Sequence, residues 1–214
     1  MKHEIGTERP AALRESWPGQ YDLFSHFEFV AGVPQPLFLI TTRKANGAAN
    51  ACLHSWSSFS GDAGGFFAIL GGLMPGGHTF RNILREGVFC VNFLGAEHLD
   101  ACLRTVEHNG DDTDELAAAG LTAEPAQAVD APRVAEAFLT LECRLERHLD
   151  LSGRGITELV IGRVMHAAVE EGRNTRQALC GPSGFLYNLH SPTDPATGHT
   201  EPDGVMALTE VRHG

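Results

Sequence analysis

The chain has 214 residues, 43% of them hydrophobic, and a formal net charge of −11. That is enough apolar side chain for one cored domain, with or without extensions, while the acidic balance disfavours nucleic acid and anionic membranes, both of which are held by a basic face. The five cysteines are odd in number and none stands in CxxC spacing, as expected of a chain kept reduced in the cytoplasm, and Cys90 and Cys143 sit in apolar runs as small buried hydrophobes.

Residues 1–24 are polar, with Pro10 and Pro18, and read as an N-terminal arm with a short helix around 11–16. The first ten residues show no secretory leader. The longest apolar run, 66–74, is interrupted by Gly71 and Gly72 and is far short of the ~20 residues that span a bilayer. Packing is expected to begin at 27–30. A β-rich run at 37–42 is followed by Asn46-Gly47, the strongest short hairpin signal, and by a partner strand at 48–56. Its Ala48, Ala49 and Ala51 leave room either for a flat ligand or for a crowded barrel interior.

Residues 57–65 read as a loop, 66–70 as a buried strand and 71–78 as a Gly-rich loop. A helix is expected over 79–86, with Thr79 as N-cap, Phe80, Ile83 and Leu84 on one face and Gly87 as its stop. A strand returns at 88–94. Leu99, Cys102, Leu103 and Val106 place another helix at 98–106. Residues 108–115 are acidic and loop-like, 117–129 are Ala-rich and of mixed character, and Pro132 opens a short helix through 137. Over 139–150, Leu139, Leu141, Cys143 and Leu145 alternate with Thr140, Glu142, Arg144 and Glu146, the pattern of a half-buried strand. Gly153 and Gly155 turn the chain into a β-branched strand at 156–169. Gly181-Pro182 marks a further turn, and the tail, 191–214, opens on a Pro/Gly/Asp/Thr-rich stretch expected to be mobile. About six strands joined by tight turns, with few and short helices, make the expected fold mainly β: an antiparallel barrel over 25–190.

No GxGxxG, GxxxxGK[ST], HExxH or GxSxG is present, so the common dinucleotide, nucleotide, zinc and serine-hydrolase motifs are missing, and no metal site is expected. Two other features carry chemistry. The start of the helix at Thr79, with its Gly-rich lead-in and Arg81 nearby, offers free N–H groups to an anion, although an ordinary capped helix has the same composition. Asn50, Ser55 and Ser57 supply small polar groups suited to the O2, N3 and O4 edge of a flavin ring, although an ordinary polar loop after a strand has the same composition, and Trp56 either walls such a ring or packs in the core.

The order of these features resembles the flavin reductase-like, FMN-binding split-barrel family. The resemblance rests on Thr41-Thr42, Gly47, Asn50-Ala51, Ser55-Trp56-Ser57, the 66–70 strand, Thr79-Phe80-Arg81-Asn82-Ile83 and Gly87-Val88-Phe89-Cys90-Val91-Asn92. It extends through Pro132, Leu141-Glu142-Cys143-Arg144, Ile161-Gly162-Arg163-Val164 and Gly184-Phe185-Leu186-Tyr187, and it covers roughly 26–188. It implies a homodimer of Greek-key split barrels binding FMN near the subunit interface. The loop from Asn50 to Ser57 would meet the isoalloxazine, and Thr79, Arg81 and Asn82 the phosphate and ribityl chain. Thr42, Ala51, Ser55, Trp56 and His78 complete the implied cofactor-binding set. Members that are reductases pass hydride from NAD(P)H to flavin N5, and a flavin-dependent monooxygenase is the partner such a member would supply. A non-catalytic flavin-binding or electron-transfer protein of the same fold is the alternative. The chain departs from the family at Asp114-Glu115-Leu116, where many members have an acidic-Lys-Phe stretch. It departs again at Thr157-Glu158, where many nicotinamide-using members place a His; His148 and His166 are near in sequence.

Overall fold

The strand order forces the main sheet to close on itself. The computed structural model describes residues 1–107, 109–175, 178, 185–190, 194, 197 and 205–208. Two short helices, α1 (Gln20–Leu23) and α2 (His26–Ala31), precede β1 (Gln35–Pro36), β2 (Phe38–Arg43), β3 (Ala49–His54), β4 (Ser57–Asp62) and β5 (Gly65–Leu73). Then come α3 (His78–Glu86), β6 (Val88–Phe93), a 3-10 turn at Ala96–His98, α4 (Leu99–Arg104) and α5 (Glu115–Ala119). The remaining strands are β7 (Ala123–Pro125), β8 (Pro132–Val134), β9 (Leu139–Leu149), β10 (Glu158–Val169), β11 (Leu186–His190) and β12 (Val205–Leu208).

The seven-stranded sheet runs β3-β2-β6-β9-β10-β5-β4, and every neighbouring pair is antiparallel. Its two edge strands are joined by Ser55 and Trp56 alone. Laid flat, the edges would lie roughly 29 Å apart at ~4.8 Å per strand, whereas a two-residue link reaches only about 10 Å. The sheet is therefore rolled into a barrel whose seam lies at Ser55-Trp56. Small sheets of β1-β11-β12 and β7-β8 attach to it.

Two cores result. Inside the barrel, Phe38, Ile40, Leu70, Ile83, Phe89, Val91 and Val160 pack together, with Phe59, Phe93, Phe138 and Phe185 in edge-to-face ring contacts. Outside it, Leu39, Ala49 and Ala51 pack against Ala101, Cys102, Leu116, Ala119 and Leu121. Both faces of β2 are thus buried: Phe38, Leu39 and Ile40 are apolar without alternation, and Thr41 and Thr42 are buried as well. The small side chains of β3 also gain a reason: α5 rests on them.

The Asn46-Gly47 hairpin forms as expected, with the positive φ of 88° at Gly47 only. The Asn46 side-chain oxygen accepts from the Ala48 N–H. Other expectations are corrected. Residues 57–62 form β4 rather than a loop, because an edge strand tolerates a polar sequence and Phe59 alone anchors it, 5.5 Å from the Phe93 ring. Residues 132–134 form β8 rather than a helix, paired with β7, and Pro132 occupies the strand's first position, where no ladder donor is lost. The arm has its helix at α1, not at 11–16, and the 27–30 stretch lies in α2, no residue of which is buried. The alternation in β9 fails at its start: Thr140 and Glu142 are buried along with Leu141 and Cys143. Glu142 accepts from the N–H groups of Gln127 and Ala128 and lies 3.4 Å from Arg133 and 3.3 Å from His166. Burial raises its pKa, but those N–H groups outweigh it and hold the carboxyl below its usual range.

The Gly181-Pro182 turn, Cys180 and most of the 191–214 tail lie outside the described residues, although β12 pairs with β11. Among the described residues no helix is long and apolar enough to cross a membrane.

Gly162 in β10 allows Phe89 to fill the barrel, since a Cβ there would meet the Phe89 ring at 2.3 Å. Gly162→Ala is expected to destabilise by about 1–3 kcal/mol through overpacking, read as a lower urea midpoint with unchanged m.

Candidate functional site

The seam of the barrel opens into a cleft of about 220 Å³. Its walls come from the end of β3, the end of β5, the start of α3, and Phe24 and Asn188 from the arm and β11. One end, at α3, holds a cluster of charged side chains, the other is aromatic, and Asp194 is also in the lining.

At the charged end α3 begins one residue earlier than Thr79. Gly77 is its N-cap, and no side chain caps the helix. Thr79 is therefore not the cap, a second correction of detail: its hydroxyl accepts instead from the Asn50 side-chain amide at 2.9 Å, tying α3 to β3. The first-turn N–H groups have no intrahelical acceptor and open beside Gly77, His78, Thr79 and Phe80 in the cleft wall. His78 Nε2 is 2.7 Å from Asp111, and Arg81, largely exposed, is 3.8 Å from the same carboxylate. Asn82 points into the sheet, donating to Thr42 Oγ1 at 3.0 Å and accepting from Arg85 at 2.9 Å.

Behind His78 lies a buried ion pair that sequence inspection does not find. Lys44 Nζ is 2.8 Å from Glu115 Oε1, both nearly inaccessible. Lys44 also donates to the carbonyls of Gly110 and Thr113. The other Glu115 oxygen accepts from the Ala51 N–H at 2.6 Å. Burial pushes the Glu115 carboxyl above its ordinary value, with Lys44 opposing. His78 Nδ1 stands 3.8 Å from Glu115, too far for a hydrogen bond, and is otherwise unpartnered.

At the aromatic end, Trp56 packs against Phe24 with ring centroids 5.0 Å apart. Gly72 has φ +73°, and a Cβ there would lie 2.7 Å from the Trp56 ring; only glycine gives both that backbone and that approach. His54 is buried between Phe38 and Trp56. Burial lowers its pKa to about 4, against the backbone groups of Gly71 and Trp56, so its ring is neutral at physiological pH. Ser55 Oγ accepts from the Asn188 side-chain amide at 3.1 Å.

Of the candidates named from sequence, Asn50, Ala51, Ser55, Trp56, His78 and Thr79 line this one cleft. Thr42 and Asn82 satisfy each other beneath it. Arg81 stands at the rim, and Ser57, the first residue of β4, donates to the Ser55 carbonyl. Glu115, Phe24 and Asn188 were not singled out as cleft residues, since their partners are remote in sequence; His54 stands inside the signalled loop.

A mainly β barrel, split along a seam that holds a cleft with a helix start at one end and aromatic rings at the other, defines the class. The flavin reductase like domain family matches residues 30–188, and the chain belongs to that family. The architecture is its split barrel. In sequence the chain is 29% identical to an uncharacterized protein of Halalkalibacterium halodurans, covering 66% of this chain and 70% of that one. In fold it is similar to nitrilotriacetate monooxygenase component B from Bacillus cereus, with TM-score 0.74 and 19% identity over the whole of both chains. It is also similar to the flavoredoxin of Desulfovibrio vulgaris, with TM-score 0.67 and 19% identity, covering 85% of this chain and 90% of that chain. The chain is thus a flavin-related protein of oxidoreductase type.

Proposed function

We propose that the cleft binds FMN and that the protein is an NAD(P)H-dependent flavin reductase, working as a cytoplasmic homodimer. The observation that carries this reading is the uncapped start of α3, with His78, opening into the same cleft as Ser55 and Trp56. A helix N-terminus with a cationic rim suits a phosphate, which FMN has and riboflavin lacks. The aromatic wall at the other end suits a flat ring. His54, His78 and Asn188 each hold a buried polar atom without a protein partner, as residues that meet a ligand would. FMN, held by the start of α3 at its phosphate and by Ser55 and Trp56 at its ring, would supply the redox chemistry, that of a hydride acceptor for nicotinamide.

The chain's own part is positioning. The N–H groups of α3 hold the phosphate end, and Arg81 adds charge from the rim. The Asn50–Thr79 bond fixes α3 against β3, so the two ends of the cleft keep their spacing. Trp56 and Phe24 exclude water from the ring end. The similarity in fold to a monooxygenase component B supports a flavin-dependent monooxygenase as the recipient of reduced flavin.

Purified protein with FMN should oxidise NADH or NADPH at 340 nm above the rate of free flavin, and a rate equal to that background would remove the reductase reading. The double substitution His78→Ala with Arg81→Ala should weaken FMN by about 1.5–3 kcal/mol through lost charged hydrogen bonds, while riboflavin affinity is unchanged. Equal losses for both flavins would place the phosphate elsewhere.

A second reading has its own observation. Thr157 or Glu158 stands where the family resemblance implies a His in many nicotinamide-using members, and the Glu158 carboxylate lies 3.0 Å from His148. A tight FMN complex reduced by a protein donor but not by nicotinamides would favour electron transfer, in keeping with the fold similarity to a flavoredoxin.

A further inference from the structure

The cleft has a feature that the phosphate end does not explain. His54 is more than nine-tenths buried, yet its Nε2 has no hydrogen-bond partner. Asn188 Oδ1, in the same cleft, is also unpartnered. Leaving such an atom unpaired in a folded protein is destabilising. The backbone groups of Gly71 and Trp56 act on the imidazole yet leave its Nε2 unpaired.

We propose that His54 and Asn188 recognise the edge of a planar, uncharged amide or imide, an N–H donor beside a C=O acceptor, at the aromatic end of the cleft. The assignment follows from what each group has left to offer. Asn188 uses one amide N–H on Ser55 Oγ, while its oxygen is left without a partner and, as an acceptor, calls for a ligand N–H. The His54 nitrogen serves as donor or acceptor according to tautomer, and as a donor it meets a ligand carbonyl. Both unpaired atoms sit on hydrogen-bonding amide and imidazole groups and so match a neutral edge; Glu115 and Asp194 also line the cleft. Trp56 and Phe24 supply the flat apolar flank that a conjugated ring needs.

The inference rests on the flavin reading above, which offers two sources of such an edge: the pyrimidine edge of the flavin, with N3–H between two carbonyls, and the carboxamide of a nicotinamide. The test uses the full chain and blocked probes. Wild-type protein is titrated with FMN and with N3-methyl-FMN by flavin fluorescence. KM is then compared for NADH and for its reduced 3-acetylpyridine analogue, which keeps the carbonyl and lacks the NH2. The wild type is expected to disfavour one blocked probe by roughly tenfold, the worth of one buried hydrogen bond. His54→Phe and Asn188→Leu should each bring that ratio to within about twofold, and His54→Gln, which keeps a polar amide, should retain most of it. Loss of discrimination against N3-methyl-FMN assigns the edge to the flavin; loss against the acetylpyridine analogue assigns it to the nicotinamide. Far-UV circular dichroism confirms that each variant is folded. FMN binding by the wild type with no discrimination, or with discrimination that survives in folded His54→Phe and Asn188→Leu, overturns the inference and leaves the flavin reading intact. No FMN binding at all by the wild type removes that reading and this one with it.

Discussion

Glu115→Leu is expected to lower folding stability by about 3–5 kcal/mol, the usual cost of stripping a buried ion of its partner. Lys44 would keep its bonds to the carbonyls of Gly110 and Thr113 but would remain buried with no counter-charge, and the Ala51 N–H would lose its acceptor. Urea unfolding followed by tryptophan fluorescence measures the change. The paired variant Lys44→Met with Glu115→Leu should recover much of the loss, because two matched apolar groups leave no charge to solvate. If Glu115→Leu alone falls within about 0.5 kcal/mol of wild type, in the range of a bare surface substitution, the ion pair is not a structural necessity.

The second large effect is one of pH. The His54 ring is held near pKa 4, well below its ordinary 6.5, by burial. Unfolded chain therefore binds a proton at His54 at a pH where folded chain does not. Stability rises with pH wherever the unfolded state holds more protons. The native state accordingly loses stability as pH falls from about 6.5 to about 4, by up to roughly 3 kcal/mol at 1.36 kcal/mol per unit. His54→Phe removes this dependence, so the difference between the two urea titrations, taken at intervals over that window, isolates it. Glu115 acts in the reverse direction, since its carboxyl is raised: the stability it contributes fades as pH climbs through its folded value. It is common to both proteins and cancels in the difference. Parallel stability curves for wild type and variant would show that the imidazole is charged in the fold.

The parts legible in the sequence are those written locally. Asn46-Gly47 announces its hairpin, Phe80 and Ile83 their helix, and the run from Thr79 to Asn92 the family. Six of the ten residues named as candidates, Asn50, Ala51, Ser55, Trp56, His78 and Thr79, share the cleft because one loop and one helix start carry them. What is illegible depends on partners far along the chain. Nothing near Lys44 indicates that Glu115 will neutralise it. Glu142 reads as solvent-facing by period two, yet the 127–133 segment covers that face of β9 and gives the carboxylate its donors. The polar string 57–62 lacks a strand's composition because its one neighbour, β5, and one phenyl ring are enough to hold an edge. Thr79 looked like a cap by residue type alone; the turn from Met74 to Gly77 sets where the helix starts.

The two-residue seam at Ser55-Trp56 has a consequence for how the molecule matures. The residues around it meet only when segments remote in the chain have come together; Ser55 and Asn188, for example, are 133 positions apart. Contacts of that span are entropically expensive to close and are gained late in folding. A half-formed chain therefore lacks a complete grip for any occupant. A molecule that fits the closed form alone would trap it, adding RT ln(1 + [L]/Kd) to its folding stability, so abundance of the small molecule would feed directly into abundance of intact protein.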